Sequence, residues 1–143
     1  MNIEIRPIRE KDYPEVEHLW RNVLDVPVTD ECLSETYKKM SRDDRYSTFV
    51  AEADGKVVGL VTMVTAMAIG HPNGYTKING LGVLPEYRKK GIGGMLLKRA
   101  EKSAIENGTG YIGLASGFTR EEAHAFYEHV GYRKTSYWFR KRL

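Results

Sequence analysis

Arg88, Lys89 and Lys90 stand directly before Gly91, Gly93 and Gly94, between an apolar run ending at Val83-Leu84-Pro85 and an apolar-periodic run beginning at Ile92. A strand that enters a helix through glycines makes an anion site. The first N–H groups of a helix have no partner within it, and the helix dipole adds partial positive charge at that end. Gly91, Gly93 and Gly94 let the backbone come close to a bulky phosphate, and the three basic residues supply full charges. An ordinary strand–turn–helix with a solvated basic turn would carry the same residues. Two phosphate motifs are excluded here. A GxGxxG dinucleotide fingerprint needs glycine where Leu96 stands. A P-loop needs Lys-Ser/Thr closing the turn, whereas Gly93-Gly94 runs into Met95.

Elements must position this turn. Asn2–Ile8 alternates as a terminal strand, and Val16, Leu19, Trp20, Val23 and Leu24 form one helical stripe over 12–24. Thr29 reads as the N-cap of a second helix, with Asp30 and Glu31 in its first turn and Leu33, Thr36, Tyr37 and Met40 inward. Ser47–Ala53 is a strand, Asp54-Gly55 a hairpin turn, and Lys56 to Met67 the returning strand. Gly70–Gly74 reads as the next turn and Tyr75–Val83 as a third strand of the meander. A helix follows from Ile92 to Asn107-Gly108, then a short strand Tyr111–Ala115. Thr119-Arg120-Glu121-Glu122 reads as a capping box opening a helix that buries Ala123, Phe126, Tyr127 and Val130. Thr135–Lys141 alternates as a final strand. The order β-α-α-β-β-β-α-β-α-β gives an α+β fold: one domain, residues 1–143, with a mixed, mostly antiparallel sheet.

Composition narrows the function classes. The chain has 143 residues, a net charge of +3 and a single cysteine, Cys32, which excludes an internal disulfide and suits a reducing, cytoplasmic setting. His18, His71, His124 and His129 are scattered without zinc-site spacing, so no metal is expected. No window approaches a membrane span, so no membrane partner is expected. Residues 1–60 hold 9 Lys/Arg against 13 Asp/Glu, while residues 61–143 hold 13 against 6. A basic second half suits a polyanionic ligand and an acidic first half a cationic one, although scattered solvated charges give the same count. Tyr137, Trp138 and Phe139 interleave with Arg140, Lys141 and Arg142, but strand alternation would bury half of them, so no nucleic-acid partner is expected.

Val83-Leu84-Pro85, Arg88-x-x-Gly91-x-Gly93 and, about forty residues on, Ala123-x-x-Phe126-Tyr127-x-x-x-Gly131-Tyr132 together resemble the GNAT superfamily of N-acetyltransferases over essentially the whole chain. The resemblance implies acetyl-CoA as co-substrate, with a central sheet covered by helices on both faces. It implies a pantetheine arm paired to the backbone at Leu81, Gly82 and Val83, with the Leu81 N–H on the thioester carbonyl as oxyanion donor. It implies a pyrophosphate cradled by Arg88, Lys89, Lys90, Gly91, Ile92, Gly93 and Gly94. Arg120, where many relatives carry Asn, would pair with a CoA phosphate or simply decorate its helix. Tyr127 matches the family's tyrosine beside the departing sulfur, where a phenol can protonate a thiolate; on its own residues it would pack beside Phe126.

The usual strand carboxylate of the family is absent, Lys77 and Asn79 occupying those positions. His71, Glu35, Asp30 or a water chain are the candidates for removing the acceptor's proton. Trp20, Tyr37, Tyr46, Met67 and Tyr75 are candidate acceptor-pocket residues, and Cys32 reads as a small core residue. The implied activity is acetyl transfer to a primary amine of a small or peptidic acceptor, by direct attack in a ternary complex. A non-catalytic acyl-CoA sensor is the alternative, and the aromatic final strand could pair across a homodimer.

Overall fold

In a computed structural model describing residues 1–143, the valine-rich run Val57–Val64 becomes the centre of a five-stranded sheet. Its strands follow chain order: β1 (Ile3–Pro7), β2 (Tyr46–Ala53), β3 (Lys56–Ala68), β4 (His71–Val83) and β5 (Ile112–Leu114). The first three pairings are antiparallel. Beside β4 the bonds Gly110 N–H to Gly74 C=O and Thr76 N–H to Tyr111 C=O advance in the same sense along both segments, as parallel neighbours do.

Register decides what each face carries. Thr48, Thr62 and Gly80 form one row across β2–β4, and Phe49, Val61 and Leu81 the next, on the opposite face. The first row meets helices α1 (Tyr13–Asn22) and α2 (Asp30–Ser41): Tyr37 Oη hydrogen-bonds Thr62 Oγ1 at 3.0 Å, and a Cβ on Gly80 would lie 2.4 Å from the Trp20 ring. The second row meets α3 (Ile92–Glu106), whose Arg99 guanidinium sits 4.1 Å over the Phe49 ring. Ile92, Leu96, Leu97 and Ala100 of α3 are buried against the sheet. Each large apolar side chain so buried contributes about 1.5–3 kcal/mol. Helices on both faces are as expected.

At the sheet edge Arg6 forks onto Asp12 with hydrogen bonds of 2.7 and 2.9 Å and reaches Glu52 at 3.1 Å, tying β1 to the turn that starts α1. Thr29 caps α2 as read, its Oγ1 accepting from the Cys32 N–H at 3.2 Å. Asp54-Gly55 forms its turn with φ of 51° and 82°.

The chain divides into two units, Met1–Gly113 and Leu114–Leu143. The second contains α4 (Glu121–His129), and there several expectations change. The N-cap is Arg120, not Thr119, and no side chain caps it. The Gly117 carbonyl instead accepts from the Arg120 N–H and lies 2.8 Å from His124 Nε2. Ala123, Phe126 and Tyr127 are half-covered rather than buried, and Val130 is exposed. The element order holds through α4, but residues 135–141 form no strand. Tyr137, Trp138 and Phe139 are 76%, 64% and 91% exposed. Alternation prepares two faces, but a strand needs a neighbouring strand to complete its hydrogen bonds, and the five strands of the sheet do not include this segment.

The turn expected at Gly70–Gly74 is tighter than that. Ala68 already pairs with His71, and Gly74 sits inside β4 at φ 73°, where a Cβ would fall 1.9 Å from the Ala66 carbonyl oxygen. It serves an irregularity in the ladder rather than the reversal.

Candidate active site

The site forms where β4 ends. The Leu84 N–H donates to the Val58 carbonyl at 2.8 Å, so Leu84–Val58 is a hydrogen-bonded pair of the β3–β4 ladder. Bonded and non-bonded pairs alternate between antiparallel strands. Val83–Gly59 and Leu81–Val61 are therefore non-bonded pairs, and Leu81 and Val83 turn their N–H and C=O groups away from β3. Two residues upstream the register skips Asn79: Gly80 faces Thr62, and Ile78 faces Met63. This β-bulge bends the strand just before its outward-facing groups.

After Val83 the chain makes one 3-10 turn, Pro85–Tyr87, and then runs through left-handed backbone at Lys89 (φ 60°) and Gly91 (φ 81°) into α3. Gly91 is the N-cap, no side chain caps it, and the first turn carries no acidic residue. The first intrahelical bond is Met95 N–H to Gly91 C=O at 3.0 Å, which leaves the amides of Ile92, Gly93 and Gly94 pointing out of the helix end. Lys89 and Lys90 are exposed beside them. Leu81, Gly82, Val83 and Arg88 through Gly94 thus belong to one continuous strand end, turn and helix start. Ile92 can offer only its backbone, because its side chain is core at 1% exposure. Gly82 likewise offers backbone alone, and a Cβ there would fall 3.1 Å from Val23 and 3.2 Å from Leu24. A Cβ on Gly94 would meet nothing within 4 Å, so no protein packing requires glycine there.

Tyr127 and Arg120 lie on the second unit. The Tyr127 ring is half-buried between Phe126 and Tyr132, with ring centroids 5.4 and 5.9 Å away. Burial pushes its phenol above the ordinary value, against a smaller downward pull from the Arg120 charge.

The candidate acceptor residues are divided between different surroundings. Tyr37 is core: its Oη accepts from Trp20 Nε1 at 2.9 Å and meets Thr62, which in turn meets Thr48 Oγ1 at 3.1 Å. Burial raises the Tyr37 phenol, and those hydrogen bonds partly offset it. Tyr46 is half-buried at the start of β2, Met67 is 94% exposed near the β3–β4 reversal, and Tyr75 stacks on Tyr111 at 5.1 Å. His71 and Glu35 are exposed. Asp30 lines a cleft of about 290 Å³ between α1 and α2 with Tyr13, Glu17 and Leu33. Lys77 is half-buried and Asn79 exposed at the bulge. Cys32 is exposed, not core, because it lies in the first turn of α2 on the side away from Leu33.

Sequence reading missed the Asn79 bulge and the Trp20–Tyr37–Thr62–Thr48 network. The glycines at 80 and 82 were the available signal: alternate glycines on one strand face mark where another element presses close, here the end of α1.

A mostly antiparallel sheet lies between α1–α2 and α3, with outward backbone groups at one strand end and an uncapped glycine helix start beside them, an α+β architecture with an open anion site at that strand end. The chain belongs to the acetyltransferase (GNAT) family, whose family model matches residues 5–132. It is 34% identical over 94 residues to the aminoalkylphosphonate N-acetyltransferase of Salmonella typhimurium, covering 66% of this chain and 61% of that protein. Among solved structures, a GNAT family acetyltransferase of Staphylococcus aureus matches with a TM-score of 0.79 and 25% identity over the whole of both chains. An aminoglycoside N-acetyltransferase in complex with CoA matches with a TM-score of 0.88 at 16% identity, over 99% of this chain and 96% of that one.

Proposed function

We propose that this chain transfers the acetyl group of acetyl-CoA to a primary amine of a small or peptidic acceptor, with residues 1–143 serving as one acyl-CoA-binding domain. The observation that carries this reading is the strand end: Leu81 and Val83 turn their backbone groups away from β3, one short turn before the open amides of α3. Backbone donors and acceptors along an outward strand edge suit the two amides of a pantetheine arm. The amides of Ile92, Gly93 and Gly94, with Lys89, Lys90 and Arg88, suit a pyrophosphate and a 3′-phosphate.

The neutral amine attacks the thioester carbonyl carbon, and the carbonyl π electrons move onto oxygen, where the Leu81 N–H stabilises the charge. Collapse expels the CoA thiolate, which takes a proton from the Tyr127 phenol; the attacking nitrogen, cationic once bonded to carbon, gives up one proton to water to leave the neutral amide, and solvent returns a proton to the phenolate. The acceptor's ammonium proton must leave beforehand. With Lys77 and Asn79 at the strand positions, water reaching the exposed bulge at Asn79 is the route we favour. Arg120 is assigned to a CoA phosphate.

The acceptor class is supported by the relatives' own names, an aminoalkylphosphonate and an aminoglycoside acetyltransferase, and by the acidic balance of residues 1–60. We assign the protein to the cytoplasm, and a homodimer to the exposed aromatic C-terminal segment. No helix is long and apolar enough to cross a membrane. The test is a panel of aminoalkylphosphonates, aminoglycosides, polyamines and lysine peptides at fixed acetyl-CoA, read by free thiol. Thiol release that depends on an amine supports the reading. CoA binding without such release on any acceptor would support the non-catalytic sensor instead.

A further inference from the structure

Arg88 makes one hydrogen bond that a phosphate role leaves unexplained. Its Nε donates to the Val83 carbonyl oxygen at 3.2 Å, back across the Pro85–Tyr87 turn. That carbonyl is one of the groups β4 turns away from β3, and the acyl-CoA reading, on which this inference rests, gives it to a pantetheine amide. The guanidinium is exposed and keeps its four Nη hydrogens for other acceptors. It therefore has two competing acceptors. One is a neutral carbonyl; the other is a multiply charged pyrophosphate, which a guanidinium grips bidentately and with opposite charge, and so more strongly.

We propose that Arg88 is a specificity-determining residue that makes strand-edge pairing conditional on phosphate. The guanidinium covers the Val83 carbonyl until a pyrophosphate in the Lys89–Gly94 loop draws it away, and the carbonyl then opens to the pantetheine amide. A thioester lacking the nucleotide end must displace the guanidinium while offering it nothing in return. The chain thereby discriminates against free acyl-pantetheine by more than the missing phosphate contacts alone.

The test is an NMR titration of pantetheine, sensitive to millimolar binding, with and without saturating inorganic pyrophosphate, on the wild type, Arg88→Ala and Arg88→Lys. On the wild type, pyrophosphate should tighten pantetheine binding about 3- to 10-fold, the value of one released, solvent-exposed hydrogen bond. Arg88→Ala should bind pantetheine that much tighter without pyrophosphate and lose the pyrophosphate effect. Arg88→Lys, which keeps the charge but lacks Nε, should follow Arg88→Ala for pantetheine while holding CoA better. Wild-type pantetheine binding that pyrophosphate leaves unchanged or weakens overturns the hand-over, as does an Arg88→Ala protein with unchanged pantetheine affinity. Failure of the wild type to bind CoA at all is a separate result, which removes the acyl-CoA reading itself.

Discussion

At the scale of single residues, Tyr127 and Asp12 make opposite kinds of prediction. Burial holds the Tyr127 phenol above its ordinary value near 10, so it stays protonated across the working range. If Tyr127 protonates the departing thiolate as proposed, it contributes about 10²- to 10⁴-fold in rate. Tyr127→Phe should lower kcat by at least about 10²-fold with little change in the KM for acetyl-CoA, and steady-state kinetics with equal values for both proteins would remove the role. Asp12 serves the fold. Burial pushes its carboxyl up, but the Arg6 hydrogen bonds and charge and the Arg9 N–H together hold it below the usual value. A lowered folded-state pKa means that the unfolded chain takes up the proton first. The contribution of Asp12 is thus fully present above about pH 4 and is lost as pH falls through that value toward the folded pKa. Asp12→Asn leaves Arg6 buried with only Glu52 as a charged partner and should cost about 3 kcal/mol in urea denaturation at pH 7. That deficit should shrink as the pH is lowered past 4. These two residues were not equally legible. Tyr127 stood out through its motif, whereas Asp12 has no local signature, because its partner arrives on β1 from six residues away.

At the scale of elements, the start of α3 separates conformational glycines from functional ones. Gly91 needs its glycine for a φ of 81°, so Gly91→Ala should destabilise by about 1–2 kcal/mol through backbone strain. Gly94 lies in the helix with nothing near it, so Gly94→Ala should raise stability by up to about 1 kcal/mol. If phosphates approach that backbone, the same methyl should raise the KM for acetyl-CoA several-fold. Thermal unfolding and acetyl-CoA saturation measured on both variants separate the two effects, and a Gly94→Ala enzyme with unchanged KM would take the phosphates away from that amide. The two glycines look alike in the sequence. Both have open space where a Cβ would stand, so only the dihedral angle, left-handed at Gly91 and helical at Gly94, tells them apart.

At the scale of the whole molecule, the C-terminal segment carries the prediction. Tyr137, Trp138 and Phe139 expose large apolar surface that folding of this chain leaves in water. If a second copy covers it, deleting residues 135–143 should convert dimer to monomer in light scattering and improve solubility. A full-length protein that is already monomeric would remove the homodimer. The acidic balance of residues 1–60 sets a second expectation: the KM for a cationic acceptor should rise with ionic strength, while that for a neutral amine should stay nearly level.

Local chemistry in the sequence determined most of what this protein is. Alternation and helical stripes, with the Thr29 cap and the Asp54-Gly55 turn, specify most of β1 through α4 because each depends on neighbours a few residues away. The glycine-rich start of α3, proposed as the phosphate site, is legible for the same reason, since its glycines and charges are contiguous. Tertiary structure decided what depends on distant partners. The register of β3 against β4 turns Leu81 and Val83 outward and creates the bulge at Asn79. The approach of α1 makes Gly80 and Gly82 necessary, and the folding back of the turn brings Arg88 onto Val83. The final strand failed as an expectation on the same ground. Residues 135–141 have the pattern of a strand, but a hydrogen-bonded ladder is a property of two segments, and the pattern of one cannot supply the other.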